Sequence, residues 1–166
     1  MIRASAPEDA DWIRDVAAAV YRPLGDYGVI IPSWMAHPGV LTFVEVADDT
    51  RERRGFILIG FYAPTDLARG HLVADLLAIA VEDAHQRRGV GKALLGYAVD
   101  LARMAGSRVP VPEIRLTVAD TNHGARRLFE SFAFEVLDEN HGAYDGGQRA
   151  IRMRHRLPQP DGPFKW

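Results

Sequence analysis

With 166 residues, 48% of them hydrophobic and 25% charged, the chain has enough apolar content for one substantial core. Its net charge of −2 gives no global attraction to nucleic acid or to an anionic membrane, and the lack of cysteine excludes disulfides, thiolate metal sites and a cysteine acyl-enzyme. Residues 1–9 hold no apolar signal core and no later apolar run approaches the roughly 18 residues of a membrane span, so a cytoplasmic protein is expected.

In chain order, residues 1–4 can form a short strand. Ser5, Pro7 and Glu8 signal the start of a helix over residues 9–21, with Trp12, Val16, Ala19 and Val20 on its apolar face. Residues 24–39 are rich in Gly, Pro and aromatics and read as a long structured loop, of a kind that often carries recognition. Two antiparallel strands are expected over residues 41–47 and 55–62, joined by a charged connection at 48–54. Residues 72–81 are almost wholly apolar, as in a central strand covered on both faces, with Asp75 the only charge inside. From Val90, the residues Leu94, Leu95, Ala98, Leu101 and Ala102 recur at helical spacing toward a stop at Gly106. A strand over residues 114–118 then precedes a helix over 122–132. Residues 133–137 and 150–157 read as closing strands around the turn Asp145-Gly146-Gly147. One domain is therefore expected over residues 1–157, followed by a Pro-rich tail at 158–166.

Between the central strand and the long helix stands Gln86-Arg87-Arg88-Gly89-Val90-Gly91-Lys92. Gly89 and Gly91 remove side chains where a helix start presents unpaired N–H groups and a partial positive charge. No Ser, Thr, Asp or Asn stands there to cap those donors, and a bound phosphate would supply the cap. Arg87, Arg88 and Lys92 add formal charge for phosphate oxygens. The spacing excludes a P-loop, because Gln86 stands where the first Gly belongs and Ala93 where the hydroxyl belongs. It also excludes a dinucleotide fingerprint, which needs Gly in place of Leu94. Among the histidines, His85 beside this loop and His71 near Asp75 are candidates for site residues, and no pair has metal-ligand spacing.

The run Ile79-Ala80-Val81 followed by Gln86 to Leu95 resembles the acetyl-CoA motif, Gln/Arg-x-x-Gly-x-Gly/Ala, of the GCN5-related N-acetyltransferase family. A second family segment follows in order: Ile114-Arg115-Leu116-Thr117-Val118, then Asn122, Ala125, Leu128, Phe129, Glu130 and Phe134. The resemblance spans residues 40–157. It implies an α/β fold with a mixed, mostly antiparallel sheet, splayed central strands and flanking helices. It further implies acetyl-CoA as donor and coenzyme A as product. Ile79, Ala80 and Val81 would offer main-chain groups to the pantetheine like an added strand. Gln86, Arg87, Arg88, Gly89, Val90, Gly91 and Lys92 would hold the pyrophosphate, and Asn122 and Phe129 would touch the cofactor.

The chemistry then needs an amine held beside a thioester, a proton acceptor, an oxyanion donor and an acid for the leaving thiolate. The Val81 N–H suits the oxyanion. Asp75, eleven residues before Gln86, matches the offset of the catalytic Glu in histone-type members, with pairing to an arginine as its structural alternative. Glu82, at the strand end, is a second candidate base. The chain departs from the family where Tyr commonly follows the Leu of the second motif, since Phe129 cannot donate a proton. Tyr144 replaces it as candidate acid, in a segment resembling the hairpin of N-terminal acetyltransferases. Thr117 stands where ribosomal-protein N-terminal acetyltransferases place a Glu. The expected partner is an amine, on a peptide or on a small molecule such as a polyamine, amino acid or antibiotic, without nucleic acid or membrane and with room for a homodimer. Phe129 also makes a non-catalytic acyl-CoA-binding module conceivable.

Overall fold

A computed structural model describes residues 1–159, so the expected tail lies outside the described residues from position 160 onward. The strands are β1 (Ile2–Ala4), β2 (Val40–Val46), β3 (Arg53–Tyr62), β4 (Val73–Val81), β5 (Glu113–Ala119), β6 (Glu135–Asp138) and β7 (Ala150–Arg156). They form one seven-stranded sheet in the order β1-β2-β3-β4-β5-β7-β6. Every neighbouring pair is antiparallel except β4 and β5, which run parallel. The helices are α1 (Ala10–Val20), α2 (Tyr27–Met35), α3 (Val90–Gly106) and α4 (His123–Ser131).

The sheet is covered on both faces, as the continuous apolar run of β4 requires. One core packs Leu94, Leu95, Ala98 and Phe129 against Ile57, Ile59, Leu76 and Leu116. The other packs Ile13, Val16, Ala17 and Ile31 against Phe56, Leu58, Ala78 and Ala80. A β-bulge lets one strand serve both: Leu58 pairs with Ala78 but Ile59 pairs with Leu76, so Leu77 is extra and the facing pattern inverts across it.

The pairing of β4 with β5 is short. It runs from Ala74 opposite Ile114 to Leu76 opposite Leu116 and stops, while β5 continues against β7 as far as Ala119 opposite Ala150. From Leu77 onward the edge of β4 that would face β5 is open. This divergence is the splay that the family resemblance implies.

Three expectations are corrected. Residues 24–39 are not a loop throughout, because α2 occupies their middle. Ile31 is fully buried there, and its packing outweighs the breaker signals of Gly28 and of Pro32, which sits inside the helix. On α1 the buried positions are Ile13, Val16 and Ala17, whereas Ala19 is exposed; the helix is rotated so that Ile13 points into the core. The closing strand β6 also begins later than expected, because Ala133 adopts φ +61° and turns the chain before Glu135.

Candidate active site

The Gly-rich turn is built as a cradle of main chain. Gly89 occupies the N-cap position of α3 at φ +83°, a left-handed conformation that glycine adopts without strain. No side chain caps the helix, and a Cβ on Gly89 would meet nothing within 4 Å, so the space beside the uncapped helix start is open. Arg87 also holds a positive φ, of +60°, which shapes the turn at some backbone cost. Arg87, Arg88 and Lys92 are exposed around it. Gln86 is exposed as well but tied to the turn: its Nε2 donates to Val81 O at 3.2 Å and to Asp83 Oδ1 at 3.1 Å. Such a turn fits a diphosphate, because an uncapped helix start stands beside three exposed cations.

The open edge of β4 leads from this cradle into a cleft with about 510 Å³ of empty space, counting its solvent-open mouth. Ile79, Thr117, Asn122, Phe129, Tyr21 and Tyr144 all line it. The main chain of Ile79 points into the cleft rather than toward β3, because the Tyr21 hydroxyl donates to Ile79 O at 2.6 Å and accepts from Ile79 N at 3.0 Å. Alternation along an antiparallel ladder turns the Val81 N–H and C=O to the same side. Over the cleft, the segment after α1 is joined to the segment before β7. Gln148 Nε2 donates to Pro23 O at 2.9 Å, and Gly146 N donates to Leu24 O at 3.1 Å. A Cβ on Gly146 would run into the Pro23 carbonyl, so only glycine permits this closure.

The titratable candidates separate. Asp75 lies within β4 and both its oxygens face Arg152: Nη2 donates to Oδ2 at 3.1 Å and Nη1 to Oδ1 at 3.4 Å. Arg152 also donates to Thr117 Oγ1 at 3.0 Å and to Tyr62 Oη at 3.1 Å, forming a network across four strands. Glu82 accepts from Trp12 Nε1 at 2.6 Å and lies outside the lining of the cleft. His85 is buried behind the turn with Nε2 3.2 Å from Glu52 Oε1. His71 sits in the connection leading into β4, where its main-chain N–H donates to Ala68 O. Tyr144 reaches the cleft, and burial pushes its phenol up to about 12 from an ordinary 10.0, with Tyr27 a lesser contributor. Asn122 caps α4, its Oδ1 accepting from Ala125 N at 3.2 Å, and Phe129 is buried against Phe134 with ring centroids 5.9 Å apart.

Tyr21, Tyr27, Tyr62 and Arg152 were not singled out by sequence reasoning. The aromatic-rich segment after the first helix was a signal for Tyr27; nothing local marks Arg152, which meets Asp75 from 77 positions away. No group of three or more metal-capable side chains occurs among the described residues, and no described helix is long and apolar enough to cross a membrane.

A donor-rich turn, an open strand edge and a cleft between diverging strands together define a protein that can hold an extended, diphosphate-bearing ligand along β4. The model of the acetyltransferase (GNAT) family matches residues 10–134, and the chain belongs to that family. It is an N-acetyltransferase with acetyl-CoA as donor. Among solved structures, Arabidopsis thaliana NAA60 in complex with a bisubstrate analogue is similar at TM-score 0.78 and 13% identity, covering 95% of this chain and 99% of that one. The yncA acetyltransferase of Salmonella typhimurium with its cofactor acetyl-CoA is similar at TM-score 0.73 and 22% identity, covering 98% and 96%. The ribosomal-protein-S18-alanine N-acetyltransferase of Escherichia coli is similar at TM-score 0.69 and 21% identity, covering 100% and 98%. No curated protein matches the chain in sequence.

Proposed function

We propose that this enzyme acetylates the terminal amine of a polypeptide by direct attack within a ternary complex. The observation that carries the reading is the cleft lining: tyrosines, aliphatic residues, Thr117 and Asn122, with no carboxylate among the described residues. A lysine amine, with a reference value of about 10.4, or a polycation would enter such a site charged and unpartnered. A chain-terminal amine, at about 7.7 to 8.0, is already partly neutral at physiological pH. The bridge from Pro23 and Leu24 to Gly146 and Gln148 ties together the two segments that bring Leu24 and Tyr144 to the lining, which suits a chain end entering beside them. One of the structural neighbours supports a peptide acceptor by its own name, which gives an alanine of ribosomal protein S18.

Acetyl-CoA, when bound, would supply an acetyl thioester open to attack by the amine nitrogen, with the coenzyme A thiolate as leaving group. The chain's own residues do the rest. Arg87, Arg88, Gly89, Val90, Gly91 and Lys92 hold the diphosphate, with Gln86 bracing the turn. Ile79 and Val81 present main chain to the pantetheine, while the sequence-predicted Ala80 turns its own N–H and C=O toward Phe56 of β3, and Asn122 and Phe129 form the opposite wall. Tyr144, kept protonated by burial, gives a proton to the departing thiolate. We place the outlet for the amine's proton at the rim where Thr117 joins Arg152 and Asp75, and Glu82, tied to Trp12, has no part in this assignment.

Release of free thiol from acetyl-CoA, measured against peptides with free N-termini, N-terminally blocked lysine peptides and polyamines, tests the reading. Free N-termini should react at least about tenfold faster than the other two classes. Faster turnover of a polyamine or a blocked lysine peptide would overturn it.

A further inference from the structure

Past Leu76, β4 has no strand partner on its β5 side, yet buried main-chain donors and acceptors rarely go unpaired. At Ile79 one side chain takes the place of the missing strand. The Tyr21 hydroxyl supplies both an acceptor for Ile79 N, at 3.0 Å, and a donor for Ile79 O, at 2.6 Å. Any ligand that adds to this edge as a strand needs the same two groups.

We propose that Tyr21 competes with the pantetheine arm of acetyl-CoA for the Ile79 main-chain pair, and thereby gates cofactor loading. The inference rests on the cofactor reading above and adds a consequence for the acceptor. Tyr21 ends α1, and its own carbonyl accepts from Leu24 N at 2.9 Å and Gly25 N at 3.3 Å. Its ring packs on Tyr27 with centroids 4.9 Å apart, and the residues just after it are those clipped to Gly146 and Gln148. Displacing the phenol therefore disturbs the wall that receives the acceptor.

Titration calorimetry on Tyr21→Phe, which keeps the ring and removes the hydroxyl, tests the competition. Coenzyme A should bind the variant about three- to tenfold more tightly than wild type, the range expected for one or two displaced hydrogen bonds of ordinary net strength. Adenosine diphosphate, which offers the diphosphate without the arm, should bind both proteins equally. A second measurement needs no variant: with fluorotyrosine at position 21 of the otherwise native chain, coenzyme A should shift its fluorine resonance toward the solvent-exposed position and adenosine diphosphate should not. Equal or weaker coenzyme A binding by Tyr21→Phe, or an unmoved resonance at saturation, would overturn the gate while leaving the cofactor reading intact. Failure of the wild type to bind coenzyme A at all would overturn both.

Discussion

The two ends of the cleft are made of different material. The end we assign to the cofactor is mostly main chain, from residues 86–92 and the nearby end of β4, shaped by glycine and by an uncapped helix start. The end we assign to the acceptor is side chains from distant segments: Tyr21 and Tyr27 around the end of α1, Thr117 on β5 and Tyr144 before β7. A site made of backbone is encoded locally, by where side chains are missing. One made of side chains is encoded by topology and emerges only when the sheet is assembled. The difference has a functional counterpart: changes at the first end should alter affinity and changes at the second should alter turnover, except at Tyr21, which bonds the Ile79 main chain and belongs to both.

The largest effect should come from Gly89→Glu. The space around a Cβ there is open, so the substitution introduces no clash; it adds left-handed backbone strain and a negative charge inside the cradle. Coenzyme A affinity should fall about a thousandfold, or roughly 4 kcal/mol, by calorimetry on material whose far-UV spectrum is native. Gly89→Asn, which tolerates the left-handed region without adding charge, should retain much of the affinity and so separate strain from electrostatics. Near-normal binding by folded Gly89→Glu would break the comparison at its stronger end.

Tyr144→Phe should do the reverse. Turnover should drop about a hundredfold, a typical contribution of a positioned acid, while coenzyme A affinity stays within about twofold. Unchanged turnover would remove Tyr144 from the chemistry. Its pH dependence has a definite sign. The folded protein holds the Tyr144 proton up to about 12, whereas an unfolded chain releases it near 10.0. The associated stability is complete below pH 10 and lost as pH rises toward 12. Denaturant midpoints should therefore fall over that window in wild type and fall less in Tyr144→Phe.

The same contrast explains what could be read before folding. The strands over 41–47, 55–62 and 114–118, the long helix from Val90 and the uncapped turn before it all follow from local periodicity and residue type. The splay was legible only through the family resemblance, because nothing in residues 72–81 marks where pairing with β5 stops. Helix α2 was hidden by Pro32 and Gly28; burial of Ile31 decides its conformation, and burial is a property of the assembled core. Asp75 illustrates the limit most clearly. Its charge inside an apolar strand was conspicuous, but its partner Arg152 lies on a strand that becomes a near neighbour only through β5. Tyr21 was hidden for the same reason, since its hydrogen-bond partners are main-chain atoms 58 positions away.

Asn122 stands at the border between the two ends and should give the smallest effect, one that sharpens the division. Its Oδ1 caps α4, and its side chain also lines the cleft, so a loss on substitution could come from the helix or from the cofactor. Alanine and serine separate the two. Asn122→Ala removes cap and amide together and should cost about 1 kcal/mol of stability. Asn122→Ser keeps a competent capping oxygen, so its denaturant midpoint should match wild type. If the amide touches the cofactor, as we propose, Asn122→Ser should still weaken coenzyme A binding about threefold, the size of one modest hydrogen bond. Wild-type affinity in Asn122→Ser together with reduced stability in Asn122→Ala would assign Asn122 to the helix alone and leave the cofactor end composed of main chain and the cations around it.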